Sequence, residues 1–212
     1  MTAALVGFLM AASAAHAQTL PDTALARVEM TAVLATLNAD LLSHDSATLT
    51  LERWCGAHHL AVSDRIRVEL VRGAERPAGA EVRRDLAVGA EEPVGYRRVR
   101  LSCGGLVLSE TDNWYVPRLL TPEMNQVLDE TDTPFGRAVL ELHFSRHTLG
   151  AEMLWQPLAP GWEMTGLPAD GVGFLEIPPE LLRHRAVLTN AEGVVFSAVV
   201  ETHQRGMLAF WH

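Results

Sequence analysis

The sequence predicts an α+β fold, a mostly antiparallel sheet with helices packed on one side. Three observations point to this class. Residues 24–42 carry apolar side chains at helical spacing, and residues 64–72 and 96–102 alternate apolar and charged side chains as half-exposed strands do. Residues 185–203 form two strand-like runs around an Asn-Ala-Glu-Gly turn. With 212 residues, 48% of them hydrophobic, the chain is expected to form one domain over residues 18–212.

Two helices come first in the predicted domain. The apolar face of the helix over residues 24–42 consists of Met30, Val33, Leu34, Leu37 and Leu41. After a polar break, Asp45, Ser46 or Thr48 can cap a second, short helix that stops at Gly56.

Strands follow the two helices. Residues 64–72 place Ile66, Val68 and Leu70 on one face. Residues 73–94 are rich in Gly, Ala, Pro and charge, and we expect a surface excursion or a weak strand pair there. The next strand, residues 96–102, turns at Gly104-Gly105 and returns over residues 106–116.

The second half of the chain mixes a helix, strands and a long loop. Thr121 and Pro122 are strong helix-start signals for a helix that ends near Thr131. Residues 137–144 alternate as a strand that would turn Ala138, Leu140, Leu142 and Phe144 to the core. Residues 155–180 are rich in Trp, Pro and Gly, which indicates a long covering loop before the final hairpin.

The N-terminus resembles a secretory signal peptide over residues 1–17. These residues contain no charged side chain and end in Ala15-His16-Ala17, a small-x-small cleavage pattern after a short apolar run. We therefore expect cleavage after Ala17 and a periplasmic or secreted protein. The alternative is a buried N-terminal helix in a cytoplasmic protein, which applies if the start site is misassigned. The apolar run is too short for a membrane span.

The charge and the cysteines limit the choice of partners. A formal net charge of −9 argues against nucleic acid or stable membrane association, because both favour basic surfaces. We expect a monomer that binds a small anion, for which a local cluster of arginines would be needed. Cys55 and Cys103 are compatible with one disulfide in an oxidising compartment or with two buried free thiols.

Several chemistries are not expected. His143 and His147 are four residues apart, a spacing that suits a metal on a helix, but the local alternation indicates a strand. No nucleotide-binding or serine-hydrolase motif occurs in the sequence. We interpret Cys103 as a structural thiol and not as a nucleophile. The sequence thus predicts neither a metal site nor a cofactor.

Arginines and one glutamate are the candidate site residues. Arg98 and Arg100 share one face of the strand over residues 96–102, and Arg97 points the other way. Glu201 alternates with apolar residues in the last strand, and a buried carboxylate there would need a partner, most simply an arginine. The alternative interpretation is that the strand arginines lie on a solvent-exposed face of the sheet and bind no ligand.

The order of these features resembles the chorismate pyruvate-lyase family. The matching segments are Leu41-Leu42-x-x-Asp45-Ser46-x-Thr48, Arg98-Val99-Arg100-Leu101-Ser102-Cys103 with the later Pro117, Thr133-Pro134-Phe135-Gly136-Arg137, and the final hairpin from Arg185 to Glu201. The resemblance covers most of residues 18–212. It implies a cofactor-free lyase that converts chorismate to a hydroxybenzoate and pyruvate.

The same resemblance implies roles for individual residues. Arg98 would bind the ring carboxylate, and Glu201 would act at the ether oxygen. The backbone amides of Ala47 and of Phe135, in the Phe135-Gly136 loop, would complete the carboxylate site. Arg100 and Arg185 are further candidates for the second carboxylate, from strand position alone. The alternative function is a non-catalytic exported protein that binds a small aromatic carboxylate such as hydroxybenzoate in the same pocket.

Overall fold

The computed structural model describes residues 20–211. The predicted signal peptide, residues 1–17, lies outside the described residues. The described helices and strands are, in chain order, α1 (Ala24–Leu42), α2 (Ala47–Ala57), β1 (Ile66–Leu70), α3 (Ala80–Asp85), β2 (Gly95–Cys103), β3 (Leu106–Tyr115), α4 (Pro122–Glu130), α5 (Phe135–Ala138), β4 (Ser145–Met153), α6 (Trp162–Thr165), β5 (Glu180–Thr189) and β6 (Val195–Gln204). Short 3-10 helices lie at Pro117–Leu119, Leu140–Leu142 and Arg205–Leu208.

The six strands form one antiparallel sheet in the order β1-β2-β3-β6-β5-β4. The predicted α+β class, a mostly antiparallel sheet with helices on one side, is confirmed, and among the described helices the short α3 lies on the other side. The predicted helices over residues 24–42 and 122–131 and the final hairpin also form. Their caps explain their limits, since Thr23, Ser46 and Thr121 each accept a backbone N–H of the first turn.

Two apolar clusters lie on one face of the sheet. The first joins α1 and α2 to β2, with Met30, Leu34 and Leu101 among its buried members. The second joins α4 and the segment after it to Tyr115 and Phe196 of the sheet. The opposite face carries a smaller cluster, beneath the short helix α3. The space between the first two clusters is the feature that matters for function.

A disulfide joins α2 to the sheet. Cys55 in α2 and Cys103 at the end of β2 are bonded, with Cα atoms 6.2 Å apart. Of the two alternatives that the sequence left open, the structure has the disulfide. The bond lies in the first apolar cluster, where both sulfur-bearing side chains are buried.

Three segments differ from the sequence prediction. The strand predicted over residues 137–144 is wrong, because Phe135–Ala138 is a helical turn and Leu140–Leu142 a 3-10 helix. The alternation there reflects packing of Ala138, Leu142 and Phe144 on the second cluster, while Leu140 is exposed. Strand β4 and helix α3 were not predicted, and residues 155–180 form a loop with one short helix, α6.

No helix within residues 20–211 has both the length and the apolar composition needed to cross a bilayer.

Candidate functional site

A cavity separates the two apolar clusters on the helical face of the sheet. It opens to solvent at its mouth, and its cavity volume is about 110 Å³. Its walls are mainly apolar and include Val99, Leu101, Phe135, Phe144, Leu188 and Val199. The polar side chains that line it are fewer, and the charged ones are Arg97, Arg146, Glu201 and the exposed Asp45 at its edge. An apolar cavity with a few convergent polar groups is the usual form of a small-molecule site.

Arg97 brings a buried guanidinium to the cavity. It pairs with Asn113 across β2 and β3, and it is only 4% exposed. Its Nη1 donates to the carbonyl oxygen of Leu128, and its Nη2 donates to those of Thr131 (2.9 Å) and Thr133 (2.8 Å). Burial lowers the pKa of this guanidinium from its ordinary value. Arg97 therefore fixes the end of α4 and the loop that leads to α5.

The Nε–H of Arg97 is a donor without a hydrogen-bond acceptor among the residues that the structure describes. The atom is buried, and no acceptor lies within hydrogen-bond distance of it among residues 20–211. A buried donor without an acceptor is costly.

A second buried guanidinium is paired with Glu201. Arg146 of β4 donates from Nη2 to Glu201 Oε2, and the two side chains are 6% and 10% exposed. The Nη1 of Arg146 donates to Thr148 Oγ1 at 3.0 Å. The ion pair holds the Glu201 carboxylate at the cavity. Arg97, the other buried arginine of the lining, forms no ion pair with a carboxylate in the described chain.

The first residues of two helices line the cavity. Ala47 and Thr48 open α2, and Phe135 and Gly136 open α5; all four residues line the cavity. First-turn amides of a helix have no intrahelical acceptor and carry the positive end of the helix dipole. The sequence predicted that amides of Ala47 and Phe135 would face the ligand, and the structure places both residues at the cavity.

The structure places Arg98 and Arg100 on the opposite face of the sheet. Arg98 Nη2 donates to Glu110 Oε2 at 2.5 Å, and Arg100 Nε donates to Glu110 Oε1 at 3.1 Å. The hydrogen bond to Glu110 raises the pKa of Arg98. Since neighbouring strand residues point to opposite faces, Arg98 cannot reach the cavity while Arg97 does. The arginine expected as the partner of Glu201 is present, but it is Arg146 and not Arg98.

Arg185 also lies away from the cavity. It stands on the face that carries α3, where its Nη2 donates to Asp85 Oδ2 at 3.0 Å and its Nη1 pairs with Glu81. Of the predicted site residues, the structure thus brings together Glu201, Ala47, Phe135 and Gly136.

Sequence reasoning missed Arg97, Arg146, Thr111 and Asn113. A signal for Arg97 was present, because it alternates with Val99 and Leu101, the apolar residues of its strand. Asn113 is buried and accepts a hydrogen bond from Ser197 Oγ at 2.6 Å. No local pattern marks Arg146, since β4 is an edge strand with mostly exposed side chains.

Two buried histidines lie next to Glu201 on the same face of the sheet. His184 is the partner of Glu201 across β5 and β6, and His203 follows Glu201 by two residues on the same face. Burial, with the charge of Arg146, lowers the pKa of His184 to about 4. Burial, with His184 and Arg146 nearby, lowers the pKa of His203 to about 3. Both rings are therefore neutral at pH 7.

The chain is 53% identical over 195 residues to the uncharacterized protein y4mC of Sinorhizobium fredii (strain NBRC 101917 / NGR234), covering 91% of the present chain and 82% of y4mC. It belongs to the y4mC family. No protein-family model matches the sequence of the present chain.

Several solved structures share part of the fold of this y4mC-family chain. PhnF of Mycobacterium smegmatis has a TM-score of 0.46 at 12% identity, over 76% of the present chain and 64% of PhnF. Its effector domain has a TM-score of 0.46 at 14% identity, over 76% and 88%. The "possible transcriptional regulator YydK" of Bacillus subtilis has a TM-score of 0.42 at 15% identity, over 65% of the present chain and 58% of YydK. Likeness of this degree assigns no ligand to the y4mC family.

Proposed function

We propose that the protein binds a small aromatic or cyclic carboxylate in the cavity between the two apolar clusters. The observation that carries the proposal is the guanidinium-bearing Arg97 in a mainly apolar lining, a buried cation that forms no ion pair with a carboxylate among residues 20–211. A carboxylate is the acceptor that a guanidinium binds best. In a chain of net charge −9, such local positive charge supports an anionic ligand.

The remaining lining suits the rest of such a ligand. Phe135, Phe144 and Leu188 offer apolar surface for a ring. The first-turn amides of α2, at Ala47 and Thr48, add donors for the carboxylate. Glu201, held by Arg146, can accept a hydrogen bond from a ligand hydroxyl.

Binding of 4-hydroxybenzoate by isothermal titration calorimetry tests the proposal, with 4-hydroxybenzyl alcohol as the ligand that lacks a carboxylate. The informative variant is Ala47→Pro. Proline is tolerated at the first position of a helix, and Ser46 before it is already extended. The variant therefore removes one N–H and keeps α2.

The loss of one hydrogen bond to a charged acceptor is expected to weaken binding by about tenfold or more. Ala80→Pro is the matched control, since Ala80 opens α3 after an extended Gly79 on the other side of the sheet. Equal affinity of Ala47→Pro and Ala80→Pro for 4-hydroxybenzoate, or equal binding of the alcohol, contradicts the proposal.

A second candidate function is the elimination of pyruvate from chorismate. It is favoured by the position of Glu201, whose carboxylate lines the cavity where the family resemblance puts the group that acts on the ether oxygen. Incubation of the protein with chorismate, followed by assays for pyruvate and hydroxybenzoate, tests it. Turnover lost in Glu201→Gln supports a lyase. Hydroxybenzoate binding without turnover leaves the binding function alone.

We also propose export with cleavage after Ala17. The Cys55–Cys103 disulfide supports this proposal, because structural disulfides persist in oxidising compartments. N-terminal sequencing of the native protein tests it. A start at Gln18 is the expected result, and an intact Met1 would favour the cytoplasmic alternative.

A further inference from the structure

We propose that His184, Glu201 and His203 form a binding site for a divalent transition-metal ion, such as Zn²⁺, next to the cavity and on the same face of the sheet. The three side chains are buried, and one ligand atom from each lies within 4.8 Å of the others. Two imidazoles and one carboxylate are a ligand set that suits Zn²⁺, Fe²⁺ and related ions. The proposal does not depend on the carboxylate ligand of the cavity.

His203 is the observation that points to a ligand. Its side chain is fully buried, and neither ring nitrogen has a hydrogen-bond partner in the part of the chain that the structure describes. At least one of these nitrogens carries a lone pair. Buried polar groups are almost always partnered, so a pair of unpartnered nitrogens beside another histidine and a carboxylate calls for a bound species.

His184 is already set in the tautomer that a metal ligand needs. Its Nε2 lies 2.8 Å from Asn38 Oδ1, and an amide oxygen can only accept, so the hydrogen is on Nε2. The Nδ1 then carries the lone pair, and it is buried without a partner in the described chain. A metal-binding histidine typically donates its other N–H to such an acceptor. Asn38 therefore acts as a positioning residue.

Glu201 can serve the ion and Arg146 together. Arg146 donates to Oε2, and no hydrogen bond to Oε1 occurs among the described residues. Ligand atoms around a tetrahedral ion with bonds of about 2.1 Å lie about 3.4 Å apart. Closing the widest pair from 4.8 Å thus requires each side chain to move by less than about 1 Å.

The test is Zn²⁺ binding to EDTA-stripped full-length protein, followed by calorimetry and by metal analysis after gel filtration. One ion per chain is the expected stoichiometry. Asn38→Ala is expected to weaken binding by about 10–100-fold, as loss of an outer-shell partner does, and His203→Leu by more. His203→Leu should fold, because it replaces unpartnered buried nitrogens with an apolar side chain.

His143→Ala is the matched control for surface binding, since that histidine is exposed and does not belong to the three-residue cluster. It should bind Zn²⁺ as the wild type does. A wild type that takes up no stoichiometric Zn²⁺, or a loss of binding in His143→Ala and not in His203→Leu, overturns the proposal. If His203→Leu fails to fold, the visible absorption spectrum of the protein with Co²⁺ is the test. A band of low-coordinate Co²⁺ that is present in the wild type and weakened in Asn38→Ala supports the site. A spectrum like that of aqueous Co²⁺ overturns it.

Discussion

Replacement of Arg97 by methionine is expected to lower the free energy of unfolding by about 3 kcal/mol. Methionine keeps most of the buried stem and removes the donors to Leu128, Thr131 and Thr133. Three hydrogen bonds from a charged donor contribute about 1.5–3 kcal/mol each. The desolvation of a buried guanidinium costs several kcal/mol and offsets part of that sum. The difference, about 3 kcal/mol, is what the variant should lose.

Thermal and urea denaturation measure this loss. For a chain of this size, about 3 kcal/mol corresponds to a fall of about 6–12 °C in Tm. Arg98→Met is the matched control, because Arg98 is the next residue of the same strand and its side chain is 28% exposed beside Glu110. The Arg98–Glu110 pair is partly exposed, and a surface pair of this kind contributes about 0–1 kcal/mol, so Tm should fall by at most about 4 °C. Equal losses in both variants, or a larger loss in Arg98→Met, would refute the reasoning.

Three further predictions concern stability. Reduction of the Cys55–Cys103 bond opens a loop of 48 residues and should cost about 4 kcal/mol in urea denaturation; an unchanged midpoint would contradict this. Glu201→Ala leaves Arg146 as an unpaired buried charge and should cost about 3–5 kcal/mol, partly recovered in the double variant with Arg146→Met; strictly additive losses would argue against the pair. In EDTA-treated protein, the pKa of His203 is about 3 in the folded state and 6.5 in the unfolded state. The unfolded chain therefore binds the proton first as the pH drops. The free energy of unfolding should then fall below pH 6.5, by up to about 1.4 kcal/mol per pH unit. Denaturation at pH 7 and 5 should therefore show a smaller difference in His203→Leu than in wild type.

The regular elements were predictable because their signals are local. Helix α1 has an apolar face of five residues at helical spacing, and Thr121-Pro122 marks the start of α4 by cap chemistry alone. The strands β1 and β2 alternate because one face of each meets the helices. In these segments the local pattern and the tertiary burial agree, so the prediction succeeded.

The failures occurred where burial depends on distant parts of the chain. In residues 137–144, helical turns bring Phe144 and Leu142 to the second cluster with the same spacing that a strand would show. Strand β4 carries no alternation, because an edge strand with two solvent-facing sides has no apolar face to reveal it. Helix α3 has six residues, too few for periodicity to be detected.

The site was predicted in part for the same reason. The sequence placed Arg97 and Arg98 on opposite faces, and the apolar Val99 and Leu101 mark the face of Arg97 as the one that the helices cover. The family resemblance led to Arg98 instead. Glu201 was found because it interrupts an apolar run, whereas its partner Arg146 comes from the strand that left no signal. The histidine cluster depends on the register of β5 against β6, which pairs His184 with Glu201. Register is a property of the sheet and not of either strand alone.

The disulfide has a geometric consequence for the cavity. From Cys55, eight residues of helix lead back to Ala47, about 12 Å at the rise of an α-helix. From Cys103, six residues of strand lead back to Arg97, about 20 Å at the rise of a strand. The covalent bond thus joins two stiff segments at one end, and each segment carries a cavity donor near its far end. Reduction would loosen the angle between the two segments, and with it the spacing of an amide and a guanidinium, without changing a single cavity side chain.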